Sequence, residues 1–164
     1  MHTKKPSGSS VLYLTLFAAM GLSIIPWPTP IACYMPNWIL LSLMYWCIAL
    51  PHKVSVGTGW TTGLLVDALS DSLLGQNALI FSIIAFFAHK LYLRLRNYRL
   101  WQQAMFILLS LLTMQLLSLM ISHLADNKYY NNNYSYWYQA ASSAIAWPLM
   151  FFILRNIRRR FNVQ

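Results

Sequence analysis

Acidic side chains are the scarcest resource in this chain, and where they stand limits the chemistry it can do. Among 164 residues the acids are Asp67, Asp71 and Asp126, with no glutamate at all. Asp67 follows Gly63 by four residues, Gly63 follows Gly59 by four, and Asp71 continues the interval. A four-residue spacing drifts slowly along one helical face, so two glycines and an acid share a stripe. Small residues at that interval let helix backbones approach closely. In a bilayer, an acid beside them costs about 2.5–3.5 kcal/mol on insertion scales unless it faces protein or water. Gly59, Gly63 and Asp67 are therefore a candidate helix-packing or partner-binding face. Three uses stand open for the acid: a cap or hydrogen bond on a neighbouring helix, through Ser or Thr; a contact with a partner or ligand; a proton or ion relay. A relay wants a chain of ionisable groups, and within the apolar segments only His89 and His123 are on offer, each near an end.

Other chemistries find no footing. The sequence has no paired carboxylates at hydrolase spacing, no Ser/His/Asp order, and no HExxH or CxxC motif. Cys33 and Cys47 bracket an apolar run that would set them roughly 20 Å apart in a helix, too far for a disulfide, and neither has a second ligand at metal spacing. The reading is of a chain without catalytic residues, cofactor or metal. Two stretches could instead make contacts. Lys90, Arg94, Arg96 and Arg99, interleaved with leucine and tyrosine, form a loop suited to anionic lipid or to docking of a cytoplasmic protein, or serve only as a topology anchor. Tyr129, Tyr130, Tyr134 and Trp137 crowd an asparagine-rich stretch that fits either an outer contact loop or an interfacial aromatic belt. Asp71-Ser72-Leu73-Leu74-Gly75-Gln76-Asn77 reads as a turn, in which a solvated Asp71 is ordinary.

The elements that must position these residues follow from composition. Charged residues make up 9% of the chain and apolar ones 58%, with mean hydropathy +0.47. Such a chain cannot cover a globule with a wettable surface, so lipid must be its solvent. The net charge of +9 does not imply nucleic acid, because the basic residues fall in bursts between apolar runs, as topology signals do. Six segments approach the length of a span, at about 11–25, 36–50, 54–69, 78–93, 101–125 and 136–154. The first is a retained helix and not a signal peptide, since Pro26-Trp27-Pro28 follows it without a small-residue cleavage site. The third is glycine-rich and weakly apolar, so a re-entrant hairpin is its alternative. With the amino terminus in the cytoplasm, six crossings place all but Lys128 of the 12 basic residues on the inner side. Five crossings would put a basic cluster outside. Trp27, Trp38 and Trp137 then fall at outer ends and Trp46, Trp60 and Trp101 at inner ends; Trp147 stands apart, deep in the sixth segment. The expectation is an all-α, single polytopic membrane domain over residues 1–164, with both ends cytoplasmic.

Pro36-Asn37-Trp38, Leu50-Pro51-His52-Lys53-Val54, Gly57-Thr58-Gly59, Gly63, Asp67 and Leu74-Gly75 closely resemble the rod shape-determining MreD family of Gram-negative bacteria. Trp101-Gln102-Gln103-Ala104 and the stretch from Trp147-Pro148 to Phe161 are also similar to that family, so the likeness covers nearly the whole chain. Its motif positions here are Pro51, Gly57 and Gly75 as turn positions, with Gly59, Gly63 and Asp67. The resemblance implies a non-enzymatic inner-membrane part of the cell-elongation machinery. It implies as partners MreC, the actin-like MreB, the glycosyltransferase RodA and a class B penicillin-binding transpeptidase. It also implies a six-helix bundle resembling the substrate-binding subunits of energy-coupling-factor transporters. That second likeness leaves a rival, a small-molecule-binding transporter subunit, which needs a polar cavity open to the outside. Gln115, Ser118, Gln139, Ser142 and Ser143 are the polar groups available for one. A flippase would need a charged path, for which the residues are too few.

Overall fold

Apolar side chains on every face of a helix leave burial, not sequence periodicity, to mark its inside. The computed structural model describes residues 8–25, 28, 31, 34–70, 73–124 and 135–161. Among the described residues the regular elements are helices: α1 (Gly8–Ile24), α2 (Trp38–Ala49), α3 (Val56–Leu69), α4 (Gln76–Lys90), α5 (Tyr92–Asn97), α6 (Leu100–Leu124) and α7 (Ser135–Arg160). In α1 the inward stripe is Val11, Leu12, Thr15, Leu16, Ala19 and Met20, while Tyr13, Leu14 and Phe17 are exposed. A helix facing water would carry polar residues on that outer side. The same inversion recurs on α6 and α7, where Leu109, Leu116, Met120, Ile145 and Leu149 stand exposed. By length and composition Leu100–Ile121 and Trp137–Arg160 can cross a membrane, and Ser10–Ile24 and Trp38–Ala49 are shorter apolar helices.

The centre belongs to α2. Every residue from Ile39 to Ile48 is buried, and α1, α4, α5 and α7 all pack on this helix. Asn37 starts it, its side-chain oxygen accepting the Leu40 N–H at 3.1 Å, an ordinary N-cap. Around this axis α3 lies along α4 and α6 along α7. α3 is one continuous helix, so the backbone there has no hairpin break.

Helix directions alternate. The carboxyl end of α1, the amino end of α2 and the carboxyl end of α3 meet at a common cavity, with Gln139 near the start of α7. At the opposite end the Arg158 guanidinium on α7 lies near Tyr45 on α2, and α5 joins the end of α4 to the start of α6. Every Lys and Arg among the described residues therefore sits at one end: Lys53, Lys90, Arg94, Arg96, Arg99, Arg155, Arg158, Arg159 and Arg160.

Three features depart from the sequence expectations. The stretch Lys90–Trp101, expected as a loop, contains α5, pinned by buried Leu95. α7 continues through Pro148 to Arg160, past the expected end at residue 154. Trp46, expected at an interface, is wholly buried, its indole N–H donating to Thr15 Oγ1 at 2.8 Å. Thr15 Oγ1 in turn donates a hydrogen bond to the Leu12 carbonyl at 2.8 Å. Because α2 is central, its side chains meet other helices on every face.

Candidate functional site

Gly59, Gly63 and Asp67 all face α4, and they do different work along the seam. A Cβ on Gly59 would lie 2.8 Å from the Phe81 carbonyl oxygen and 2.9 Å from the Ala85 Cβ. One on Gly63 would strike the backbone of Ala78 and stand 2.6 Å from the Asn77 carbonyl oxygen. Neither neighbour can yield, since each is chiefly backbone. Hydrogen at these two positions is what lets α3 and α4 touch, the close approach that small residues permit between helices.

One turn further on, the seam reaches the start of α4, where the first N–H groups of any helix lack intrahelical partners. The N-cap of α4 is Gly75, held at φ +96°. That left-handed conformation favours glycine, but glycine has no side chain with which to cap. Asp67 supplies the cap from the neighbouring helix. Its Oδ2 accepts from the Gly75 N–H at 2.9 Å and the Ala78 N–H at 3.2 Å, and its Oδ1 accepts from the Asn77 N–H at 2.9 Å. Asp67 is only 2% exposed. A carboxylate at a helix amino end also meets the positive end of the helix dipole, and such charge-assisted bonds are the strong ones. So the acid caps a neighbouring helix through the peptide N–H groups of Gly75, Asn77 and Ala78. Its oxygens are engaged by the fold, which suits a structural cap better than a relay. Among the described residues no group of three or more His, Cys, Asp or Glu could hold a metal ion.

The remaining motif positions scatter. Pro51 lies in the turn between α2 and α3. Gly57, expected in a turn, sits inside the first turn of α3 with only ordinary contact around it. Lys90 closes α4, Arg94 and Arg96 ride on α5, and all three are exposed with Arg99. Arg99 precedes α6, and its N–H is accepted by the Gln102 side chain at 3.0 Å, half of a capping box. Trp137 is half exposed at the start of α7. Tyr129, Tyr130 and Tyr134, like Asp71, lie outside the described residues.

Two polar nodes escaped the sequence reading. Gln103 is buried, donating through Nε2 to the Leu95 carbonyl at 2.8 Å and accepting the Trp147 indole N–H at 3.2 Å. This one amide ties α5, α6 and α7, and it explains the deep tryptophan: a buried indole needs an acceptor. At the other end the Asn37 N–H donates to Ser143 Oγ at 2.9 Å, and Ser143 donates to the Gln139 carbonyl at 2.7 Å. The signal for both was a polar residue inside an apolar run. The cavity beside Asn37 is about 270 Å³ and is lined also by Ser23, Ser70, Met114 and Gln139. Asn37 is already committed there, to Leu40, to Ser143 and, through Nδ2, to the Met114 sulfur at 3.9 Å.

The family model described as rod shape-determining protein MreD matches residues 6–157. The rod shape-determining protein MreD of Haemophilus influenzae is 33% identical over 149 residues, covering 89% of this chain and 89% of that relative. No solved structure matches. The chain belongs to the MreD family of rod shape-determining membrane proteins.

Proposed function

We propose that this member of the MreD family is a non-enzymatic scaffold of the rod complex in the inner membrane. It crosses the bilayer six times with both ends in the cytoplasm, in the manner of energy-coupling-factor substrate-binding subunits. It couples MreC and the cytoplasmic MreB filament to the wall synthesis carried out by RodA and a class B penicillin-binding transpeptidase. Family membership over nearly the whole chain supports the assignment. The single structural observation behind the scaffold reading is the role of Asp67. The one buried acid among the described residues holds two helices together. In a transporter or pump, such an acid would be expected to face a path.

The architecture also suggests where partners dock. The α3–α4 seam is closed on itself, so Gly59, Gly63 and Asp67 shape the bundle from within and MreC contacts other faces. The exposed apolar sides of α1, α6 and α7 are available to neighbouring spans, and the cationic end to cytoplasmic proteins. Depleting the chain from its rod-shaped host, with tagged MreC as bait, tests the reading. The expected outcome is rounded cells and loss of the chain from the MreC complex. Cells that keep their shape while losing uptake of a nutrient would sink it.

A further inference from the structure

Between α4 and α6 runs an apolar groove of about 490 Å³. Ile83 and Phe87 wall it on α4, and Phe106, Leu109, Thr113 and Leu116 on α6. Its two hydroxyls are turned back on their own helix: Ser110 Oγ donates to the Phe106 carbonyl at 2.8 Å and Thr113 Oγ1 to the Ser110 carbonyl at 2.8 Å. What the groove presents is hydrocarbon.

Each wall ends in a cation. Lys90 follows Phe87 by three residues and Ile83 by seven, which keeps it on the groove face of α4. Stepping back seven from Thr113 reaches Phe106, and seven more reaches Arg99, the residue just before α6. Both cations are exposed, and α5, which carries Arg94 and Arg96, links the two walls. At this same end Trp101 is 63% exposed and Tyr98 is exposed as well, amphipathic rings of the kind that settle at headgroup depth.

We infer that this groove seats one acyl chain of an anionic phospholipid whose phosphate lies between Lys90 and Arg99. A partner helix fits less well, because helix docking uses small residues that let backbones approach and these walls are Ile, Leu and Phe. Tail contact alone selects no lipid, since acyl chains are as apolar as leucine. Selection comes from the charged end, at about fivefold per cation near the surface. The inference rests on α4 and α6 both lying in the bilayer, as the six-crossing reading has them, and not on any partner in the rod complex.

The test uses the purified full chain in detergent with equimolar phosphatidylglycerol and phosphatidylcholine of identical acyl chains, and native mass spectrometry to read what is retained. Wild type should keep one phosphatidylglycerol in clear preference. K90Q/R99Q should lower that preference by tenfold or more, on the order of two lost cations, whereas R159Q/R160Q should leave it intact. Leu109→Trp, which fills the groove, should release the lipid with the cations untouched, and Thr113→Phe at an exposed position serves where Leu109→Trp melts early. Equal loss in both arginine-bearing double variants would overturn the site as diffuse electrostatics. Retention after the groove is filled, or displacement of the lipid by millimolar inorganic phosphate, would overturn the acyl-chain assignment. A failure of the six-crossing reading registers separately, as Leu74→Cys and Lys90→Cys, at the two ends of α4, labelled from the same face.

Discussion

Asp67 caps a helix that begins with a glycine, and that arrangement sets how the residue should respond to substitution. Leucine at 67 would leave the N–H groups of Gly75, Asn77 and Ala78 without this acceptor, and buried donors left unpaired are costly. Asp67→Leu should lower stability by about 2–4 kcal/mol. Asp67→Asn keeps one carbonyl oxygen and should lose roughly half as much. Thermal unfolding in detergent, monitored by tryptophan emission, gives both values; equal melting of the two variants would remove the cap from the account. Trp147 and Gln103 offer a second case. Trp147→Phe deletes the donor and leaves a buried amide oxygen unpaired, for a loss of about 1–2 kcal/mol. Adding Gln103→Leu to it should cost less than the two single losses combined, because the pair is coupled. The interval Gly59, Gly63, Asp67 was readable in the sequence, and so was the need for an acid in lipid to find a partner. The partner itself was not readable. It is a run of peptide N–H groups, identical in every residue, left open because the N-cap at Gly75 has no side chain.

At the level of the element, the α3–α4 hairpin is set by which glycines meet backbone. Gly63→Ala forces a methyl into the Ala78 backbone, an overpacking loss of about 1–3 kcal/mol, and Gly59→Ala should behave similarly against Phe81 and Ala85. Gly57→Ala meets only an ordinary contact, Ser55 Oγ at 3.7 Å, and should stabilise by up to about 1 kcal/mol through helix propensity. Melting the three variants side by side checks the ranking, and a Gly63→Ala protein as stable as Gly57→Ala would mean the seam is looser than described. Helix existence was legible because apolar runs, prolines and glycines punctuate the chain. Helix position was not. The faces of α1 and α2 are apolar all round, so no periodicity distinguishes the buried stripe of α1 or the central place of α2. Trp46 therefore read as an interfacial ring when it is a core residue bonded to Thr15. The short helix α5 was hidden for the opposite reason: Leu95 is its one buried anchor among charged neighbours.

For the whole molecule, the governing asymmetry is that every described cation gathers at one end while the α3–α4 turn and the start of α7 lie at the other. Charge cannot cross a hydrocarbon core cheaply, so this distribution fixes orientation once the bundle is in a bilayer. α2, at 12 residues, reaches only about 18 Å, well short of a hydrocarbon core of about 30 Å. Buried on all sides by other helices, it need not match the lipid; in the six-crossing arrangement proposed above the mismatch would fall on α3 and α4, where local thinning is inexpensive. Single cysteines placed in a Cys33→Ser, Cys47→Ser background give the check. Lys53→Cys, Arg96→Cys and Arg159→Cys should react with a membrane-impermeant maleimide only after the inner face of the membrane is opened. Leu74→Cys, 80% exposed in the turn after α3, should react in intact spheroplasts. If Leu74→Cys and Arg96→Cys were labelled from one side, α4 would not cross the bilayer. The alternation of helix directions would then have to come from a bundle lying at the surface, with its apolar exterior facing water. The exposed leucines and isoleucines of α6 and α7 argue against that outcome, because so continuous an apolar surface on a monomer in water would aggregate.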